Sequence, residues 1–382
     1  MKIERFQYHN KALQWELEPV SFSDLTLLVG ISGVGKTQIL QALLNLKRIA
    51  EGKSRNGIEW NVEFSTIEGH KYQWTGEFET QNRIFSDEVT FLPDNDEGIR
   101  DKPAIIAETL VKDGATIVTR TPDDIFFLGE KTPKLSPSSS SISLLSEEDS
   151  IQPASNAFRR IIYSDQSVQR SLRVLDSKFD KLAAKYDTLT KIRESDLDTQ
   201  TKLALVYRNH EEVFGRIKNR FLDIFPQVTD IKIEPRDNSE DMPAFFADIP
   251  IFQIREDGVK NWIEQDKISS GMLRTIIHVA EMYLWPDGTV ILIDEFENSL
   301  GVNCIDVITE DLLLNNRRLQ FILTSHHPYI INNIGTRYWK VVTRKGGIVT
   351  AHDASSLGLG ESSHDAFMQL INSDKYRDGI NG

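Results

Sequence analysis

The sequence holds a single cysteine, Cys304, among 382 residues. That excludes an internal disulfide and any zinc site built from several cysteines, and it suits a reducing compartment. Long apolar runs are also missing. A stretch such as Thr289–Ile293 is far shorter than the roughly 20 residues that a membrane helix needs. The opening, MKIERFQYHN, is charged and has no apolar core of the kind a secretory signal carries. A cytoplasmic protein with no membrane attachment is therefore expected. Positive charge is short as well, with 44 Lys and Arg against 57 Asp and Glu, a net charge of −13. Such an acidic body is a poor indiscriminate binder of nucleic acid, although summed charge leaves a local basic patch open. Metal-ligand spacing is absent too. The His-rich spots are His326-His327, His352-Asp353 and His364-Asp365, and none has the pattern of a metal cluster.

What is present is the composition of a folded domain, 40% hydrophobic and 26% charged. Lys2–Tyr8 alternates like a strand, and Leu25–Val29 reads as a buried strand ending at Gly30. A helix follows from Lys36, with Ile39, Leu40, Leu43, Leu44 and Leu46 as a wide apolar stripe. Two hairpins are expected, one over 58–80 turning near Glu68-Gly69, one over Ile105–Val118 turning at Asp113-Gly114. They suggest a small antiparallel sheet attached to the core. Ser136–Ser143, SPSSSSIS, reads first as a mobile connector and second as a loop whose hydroxyls face a ligand. Residues 157–225 read as helical. Leu172, Leu175, Phe179, Leu182, Tyr186 and Leu189 make one seam; Leu203, Val206, Phe214, Ile217, Phe221 and Ile224 make another. Together they suggest an antiparallel helical hairpin broken near Arg193–Thr199. A helical lid packed on the body is the simpler reading, a partner-binding arm the other. Strands and helices alternate again from 226: a helix near Ser270–Tyr283, a strand Val290–Ile293, a helix over Cys304–Asn315, a strand Leu319–Thr324 and a strand pair near Tyr338–Thr350.

Four motifs carry chemistry. Gly30-Ile31-Ser32-Gly33-Val34-Gly35-Lys36-Thr37 is a complete G-x-x-x-x-G-K-[ST] between a strand and a helix. Its glycines let backbone N–H groups face phosphate oxygens, Lys36 suits the β- and γ-phosphates, and the Thr37 hydroxyl suits Mg²⁺. Val290–Ile293 is an apolar strand ending in Asp294-Glu295, a Walker B pattern. Asp294 is the metal candidate and Glu295 the candidate that orients or deprotonates water. Ser269-Ser270-Gly271 opens a helix 23 residues before Asp294. Thr324-Ser325-His326-His327 closes a strand, with His326 lying 31 residues after Glu295. His326, which directly follows the Thr-Ser that ends the strand, is the better candidate of the pair and His327 its competitor.

In that order the four motifs resemble those of ABC-class ATPases of the SMC, RecF and OLD kind within the wider AAA family. Asp-Glu-Phe-Glu-Asn-Ser-Leu (294–300) and Thr-Ser-His-His-Pro (324–328) are similar to OLD-like heads, and Ile3–Asn10 resembles the first strand of SMC-like heads. Transporter cassettes carry a different Walker B tail. More narrowly, the chain resembles the stand-alone ATPase subunits of bacterial anti-phage systems, the Septu and retron-associated ATPases. The residues for this are Ser269–Thr275 and Glu297–Gly301.

The resemblance implies an α/β fold: an ABC-type P-loop ATPase head with an attached antiparallel β-subdomain and a short helical hairpin inserted. We divide the chain into an N-terminal lobe (1–130), a Ser-rich connector and helical insertion (131–228), a C-terminal lobe with signature, Walker B and switch histidine (229–350), and a tail (351–382). The resemblance further implies ATP and Mg²⁺ as cofactors. It implies a homodimer or higher oligomer with ATP between Lys36 of one copy and Ser269, Ser270 and Gly271 of another. The partner it implies is a separate HNH-type nuclease or a toxin. Direct action on DNA, as in RecF and SMC proteins, is the alternative, with Arg159-Arg160, Arg216–Arg220 and Arg317-Arg318 as candidate basic clusters. Two features depart from the family pattern. No glutamine lies between 132 and 151 where a Q-loop is expected, leaving Gln152 and Gln73 as substitutes, and Asn298–Gly301 lacks the usual D-loop aspartate. Phe367, Met368, Leu370 and Ile371 in the tail suit docking on the body or on a partner.

Overall fold

Leu25–Val29 is buried at all five positions, and a strand covered on both faces belongs inside a sheet. The computed structural model describes residues 1–81, 102–164, 179–234, 250–297, 309–310, 317–358 and 363–372. Its strands, in chain order, are β1 (Lys2–Asn10), β2 (Trp15–Ser21), β3 (Leu25–Val29), β4 (Ile58–Ser65), β5 (Lys71–Phe78), β6 (Ile105–Lys112), β7 (Ala115–Arg120), β8 (Ile125–Phe127), β9 (Glu130–Lys131), β10 (Ile161–Tyr163), β11 (Val228–Glu234), β12 (Ile251–Glu256), β13 (Ile263–Glu264), β14 (Val290–Ile293), β15 (Gln320–Thr324), β16 (Trp339–Lys345) and β17 (Ile348–Asp353). Two units partition the chain. The first comprises Met1–Ser164, Asp287–Phe296 and Arg317–Gly382; the second comprises Asp165–Pro286 and Glu297–Asn316.

In the first unit, one fourteen-stranded sheet runs in the order β10-β14-β15-β3-β16-β17-β2-β1-β4-β5-β6-β7-β8-β9. From β10 to β16 it is parallel. Leu28 of β3 lies opposite Thr324 of β15, and Leu323 lies opposite Ile293 of β14. The carboxyl ends of these three strands therefore share one edge of the sheet, the end where α/β sheets bind ligands. The helix Lys36–Ala50 buries Ile39, Leu40, Leu43, Leu46 and Ile49. The α/β fold with attached antiparallel strands matches the sequence reading, and the two expected hairpins are among those strands. They continue the core sheet through β2, β1 and β4. Both turns are where the sequence puts them: Asp113 and Gly114 adopt φ of 49° and 85°, the pair of positive values that a tight type I′ hairpin requires.

The Ser-rich segment is not a bare connector. Ser140 and Ser141 are fully buried. The Ser140 hydroxyl donates to the Ile49 carbonyl at 2.7 Å, and both the N–H and the hydroxyl of Ser141 reach the Glu108 carboxylate. Trp74 Nε1 donates to the same carboxylate at 2.9 Å. Arg120 lies 3.5 Å from it and donates to the carbonyls of Ser136, Pro137 and Ser139. Burial pushes the Glu108 carboxyl above its ordinary range, against the pull of these donors and of Arg120. The hydroxyls thus serve an internal polar network, which needs every member satisfied. Arg120→Met is expected to destabilise the protein by about 3–5 kcal/mol, because it leaves a buried carboxylate without its countercharge. Urea denaturation checks this, and a change under about 1 kcal/mol would show that the pair is not holding the segment.

Part of the expected helical stretch is a strand. Ile161-Ile162-Tyr163 pairs with Val290-Ile291-Leu292, and its β-branched and aromatic residues suit that place better than a helix interior. In the second unit, the seams are cut into short helices, Phe179–Lys185, Leu189–Glu194, Thr199–Asn209 and Glu211–Ile224. Thr188 and Asp198 each cap a new helix start with a side-chain oxygen. The second seam breaks at His210, where a continuing heptad would need an apolar residue. Leu172 and Leu175 lie outside the described residues, as does nearly all of the expected helix over Cys304–Asn315. The helices Thr199–Asn209 and Glu211–Ile224 pack on the helix Ser270–Leu284 of the same unit. β11, β12 and β13 form a small antiparallel sheet in this unit.

In the tail, the helix Ser363–Asn372 packs against Pro328–Asn333 with Phe367 and Leu370 buried and Met368 exposed. It docks on its own body. Among the described residues no helix is long and apolar enough to cross a membrane.

Candidate nucleotide site

The loop Gly30–Gly35 leaves β3 and enters the helix Lys36–Ala50 through Gly35, whose φ of +105° few other residues adopt. A Cβ there would also stand 3.0 Å from the Val349 side chain, and one on Gly30 would meet the Val342 carbonyl at 2.6 Å. The β16–β17 hairpin therefore backs the loop, and only glycine lets the chain pass. Val34 is buried, Ile31 half-buried, and Ser32, Gly33 and Thr37 are exposed. Lys36 Nζ donates to the carbonyls of Gly30 (2.6 Å) and Ile31 (3.0 Å), spanning the loop like a chord. No side-chain cap sits at the helix start and no acid lies in its first turn. Uncapped N–H groups and a positive helix end are what an anion needs.

At the end of β14, Asp294 is half-buried and Glu295 exposed. Glu295 holds φ at +46°, a left-handed conformation that a glutamate adopts only under constraint. The constraint is Thr324. Its hydroxyl accepts the Glu295 N–H at 2.7 Å and donates to Asp294 Oδ1 at 2.5 Å, while its carbonyl accepts the Phe296 N–H at 3.0 Å. Just beyond, the two histidines divide their roles. His327 donates its N–H to Ser325 Oγ and accepts the Tyr329 N–H on Nδ1, capping the helix Pro328–Asn333. His326 is the more exposed of the two.

The structure thus brings Gly30–Thr37, Asp294, Glu295 and His326 to one edge of one sheet. Ser269, Ser270 and Gly271 belong to the other unit. There Ser269 Oγ accepts the Met272 N–H at 3.3 Å and caps the helix Ser270–Leu284, with both serines exposed. Asn298–Gly301 lies outside the described residues. Neither substitute for the Q-loop glutamine has an evident place: Gln73 donates to Asn61 on the β4–β5 pair, and Gln152 begins a helix. The donor set suits Mg²⁺. A helix-start hydroxyl (Thr37) and one carboxylate (Asp294) are hard oxygen ligands of the kind that hold this ion together with substrate phosphates. Among the described residues no cluster of three His, Cys, Asp or Glu could hold a metal alone. Sequence reading passed over Thr324 itself. Its one signal was a hydroxyl residue closing an apolar strand just before the His pair.

A family model described as "AAA domain, putative AbiEii toxin, Type IV TA system" matches residues 25–332, a span that contains every site residue named above. Among solved structures the chain is similar to the SMC head domain from Thermotoga maritima, at 14% identity over 92% of this chain and 99% of that one, TM-score 0.45. It is similar to the Smc head domain with an extended coiled coil bound to the C-terminal domain of ScpA, from Pyrococcus furiosus, at 12% identity over 97% and 100%, TM-score 0.46. A third is the SmcHead bound to the C-winged helix domain of ScpA, at 13% identity over 92% and 97%, TM-score 0.43. No curated protein matches the chain.

Proposed function

The chain belongs to this family of P-loop ATPases, and from that premise we propose that it hydrolyses ATP to switch between separate and paired copies, and that the switch controls a distinct effector. The observation that carries the reading is the common edge where Gly30–Thr37, Asp294, Glu295 and His326 end up together.

The loop N–H groups and the uncapped helix start take the phosphate chain. Lys36 leaves the carbonyls of Gly30 and Ile31 and turns its ammonium to the β- and γ-phosphates. Thr37 and Asp294 would hold Mg²⁺, and the ion would supply positive charge to offset that of the phosphates. Glu295 takes the proton of the attacking water, and His326 donates to the γ-phosphate oxygens. One side of the γ-phosphate stays open in a single copy. Ser269, Ser270 and the helix end at Gly271 of a second copy supply donors there. ATP then joins two copies and hydrolysis parts them.

The effector is a separate nuclease, of HNH type, or a toxin, and the setting is bacterial anti-phage defence of the Septu and retron kind. The matched family's description, which speaks of a toxin–antitoxin system, supports that setting. Direct action on DNA draws less support from the Arg216–Arg220 cluster, whose cations face carboxylates: Arg216 with Glu212, Lys218 with Asp230 and Arg220 with Glu310. The test is purification from the native host at native expression, with and without ATP, followed by mass spectrometry. A stoichiometric nuclease or toxin whose retention changes with ATP is expected. Recovery of the chain alone with nuclease-resistant DNA would overturn the effector reading.

A further inference from the structure

Thr324 stands at a junction. Its backbone lies opposite Leu28 of β3, two residues before the loop that would hold phosphate. Its side chain is 1% exposed. A hydroxyl has one proton to give and lone pairs to receive, and Thr324 uses both functions on neighbouring residues of one motif. The proton goes to Asp294 Oδ1 and a lone pair takes the Glu295 N–H. The first bond fixes one oxygen of Asp294 and so aims the other. The second holds Glu295 in its left-handed backbone, which sets the direction of its Cα–Cβ bond. Valine has the same shape as threonine and can do neither.

We infer that the Thr324 hydroxyl is the positioning group for both Walker B carboxylates, setting Asp294 for the metal and Glu295 for water at once. The inference rests on the ATPase reading above. Thr324 acts through the two residues it holds. Because His326 follows two residues after β15 ends, a single strand end sets three polar groups around the γ-phosphate.

The experiment compares the full chain with Thr324→Val, Thr324→Ser and Thr324→Ala. Steady-state hydrolysis is measured, together with binding of a fluorescent ATP analogue in EDTA and across a Mg²⁺ titration. For Thr324→Val, turnover is expected to fall about 10²-fold, the cost of a misplaced reacting group. Analogue binding in EDTA should stay within about threefold, while the Mg²⁺ needed for half-maximal tightening rises about tenfold, as when an outer-shell partner of a metal ligand is lost. Thr324→Ser should keep turnover within about threefold of the parent, because the hydroxyl remains. Equal losses in the Ser and Val variants would show that the methyl group matters and not the hydroxyl, and would overturn the inference. So would a Val variant that turns over normally. If Thr324→Val does not fold, the Ser and Ala variants, which differ only by the hydroxyl, read the same contrast. A parent chain that neither binds nor hydrolyses ATP sinks the ATPase reading instead, whatever the variants do.

Discussion

Glu295→Gln is expected to keep ATP binding and lose about 10²–10⁴-fold in turnover, the range for removing a general base. The substitution keeps the shape and removes the group that takes a proton from water. The Glu295 N–H to Thr324 bond belongs to the backbone and survives, so the left-handed turn at 295 should persist. With hydrolysis stalled and binding intact, the ATP-joined pair should accumulate. Light scattering after gel filtration should show about twice the monomer mass with Mg-ATP, and the parent mass without it. Normal hydrolysis by this variant would show that Glu295 is not the base. A stalled variant that stays monomeric with ATP would leave the hydrolytic assignment standing and remove the pairing.

Lys36→Ala is expected to act one step earlier. A hydrogen bond to a charged partner is worth roughly 1.5–3 kcal/mol, so ATP affinity should drop by about 10- to 100-fold, and hydrolysis at saturating ATP by about 10²–10³-fold. The loop has a second dependence on this side chain, since Lys36 spans it by bonds to Gly30 and Ile31. Lys36→Met, which keeps the stem, separates loss of charge from loss of packing. Isothermal titration with Mg-ATP is the readout. Unchanged affinity in both variants would place the nucleotide elsewhere.

The candidate site was legible in the sequence because its chemistry is local. Eight consecutive residues give the phosphate loop, and two carboxylates end one apolar strand. What was not legible depends on partners far along the chain. Nothing near Ser136–Ser143 announces that a buried Glu108 and Arg120 await its backbone and hydroxyls, so a low-complexity run reads as a connector. Ile161–Tyr163 sits within a helical pattern and becomes a strand only because Val290–Leu292 offers it a ladder. Thr324 looks like any strand end until Asp294 and Glu295 arrive beside it. The heptad seams misled for another reason: apolar spacing survives a helix break, whereas the capping oxygens of Thr188 and Asp198 cut it.

The order of strands also sets a timetable for synthesis. β3 is flanked by β15 and β16, and 295 residues separate Leu25 from Gln320. At roughly 5–20 residues per second, the apolar LTLLV segment leaves the ribosome about 15–60 s before its neighbours exist. The glycines of the phosphate loop wait longer still, for Val342 and Val349 to come up behind them. A nascent chain therefore carries the whole phosphate-loop sequence through about 300 further residues of translation with no formed cradle. The cradle can form only once Val342 and Val349 have been made, so a truncated product ending before β16 would have the motif and lack the site.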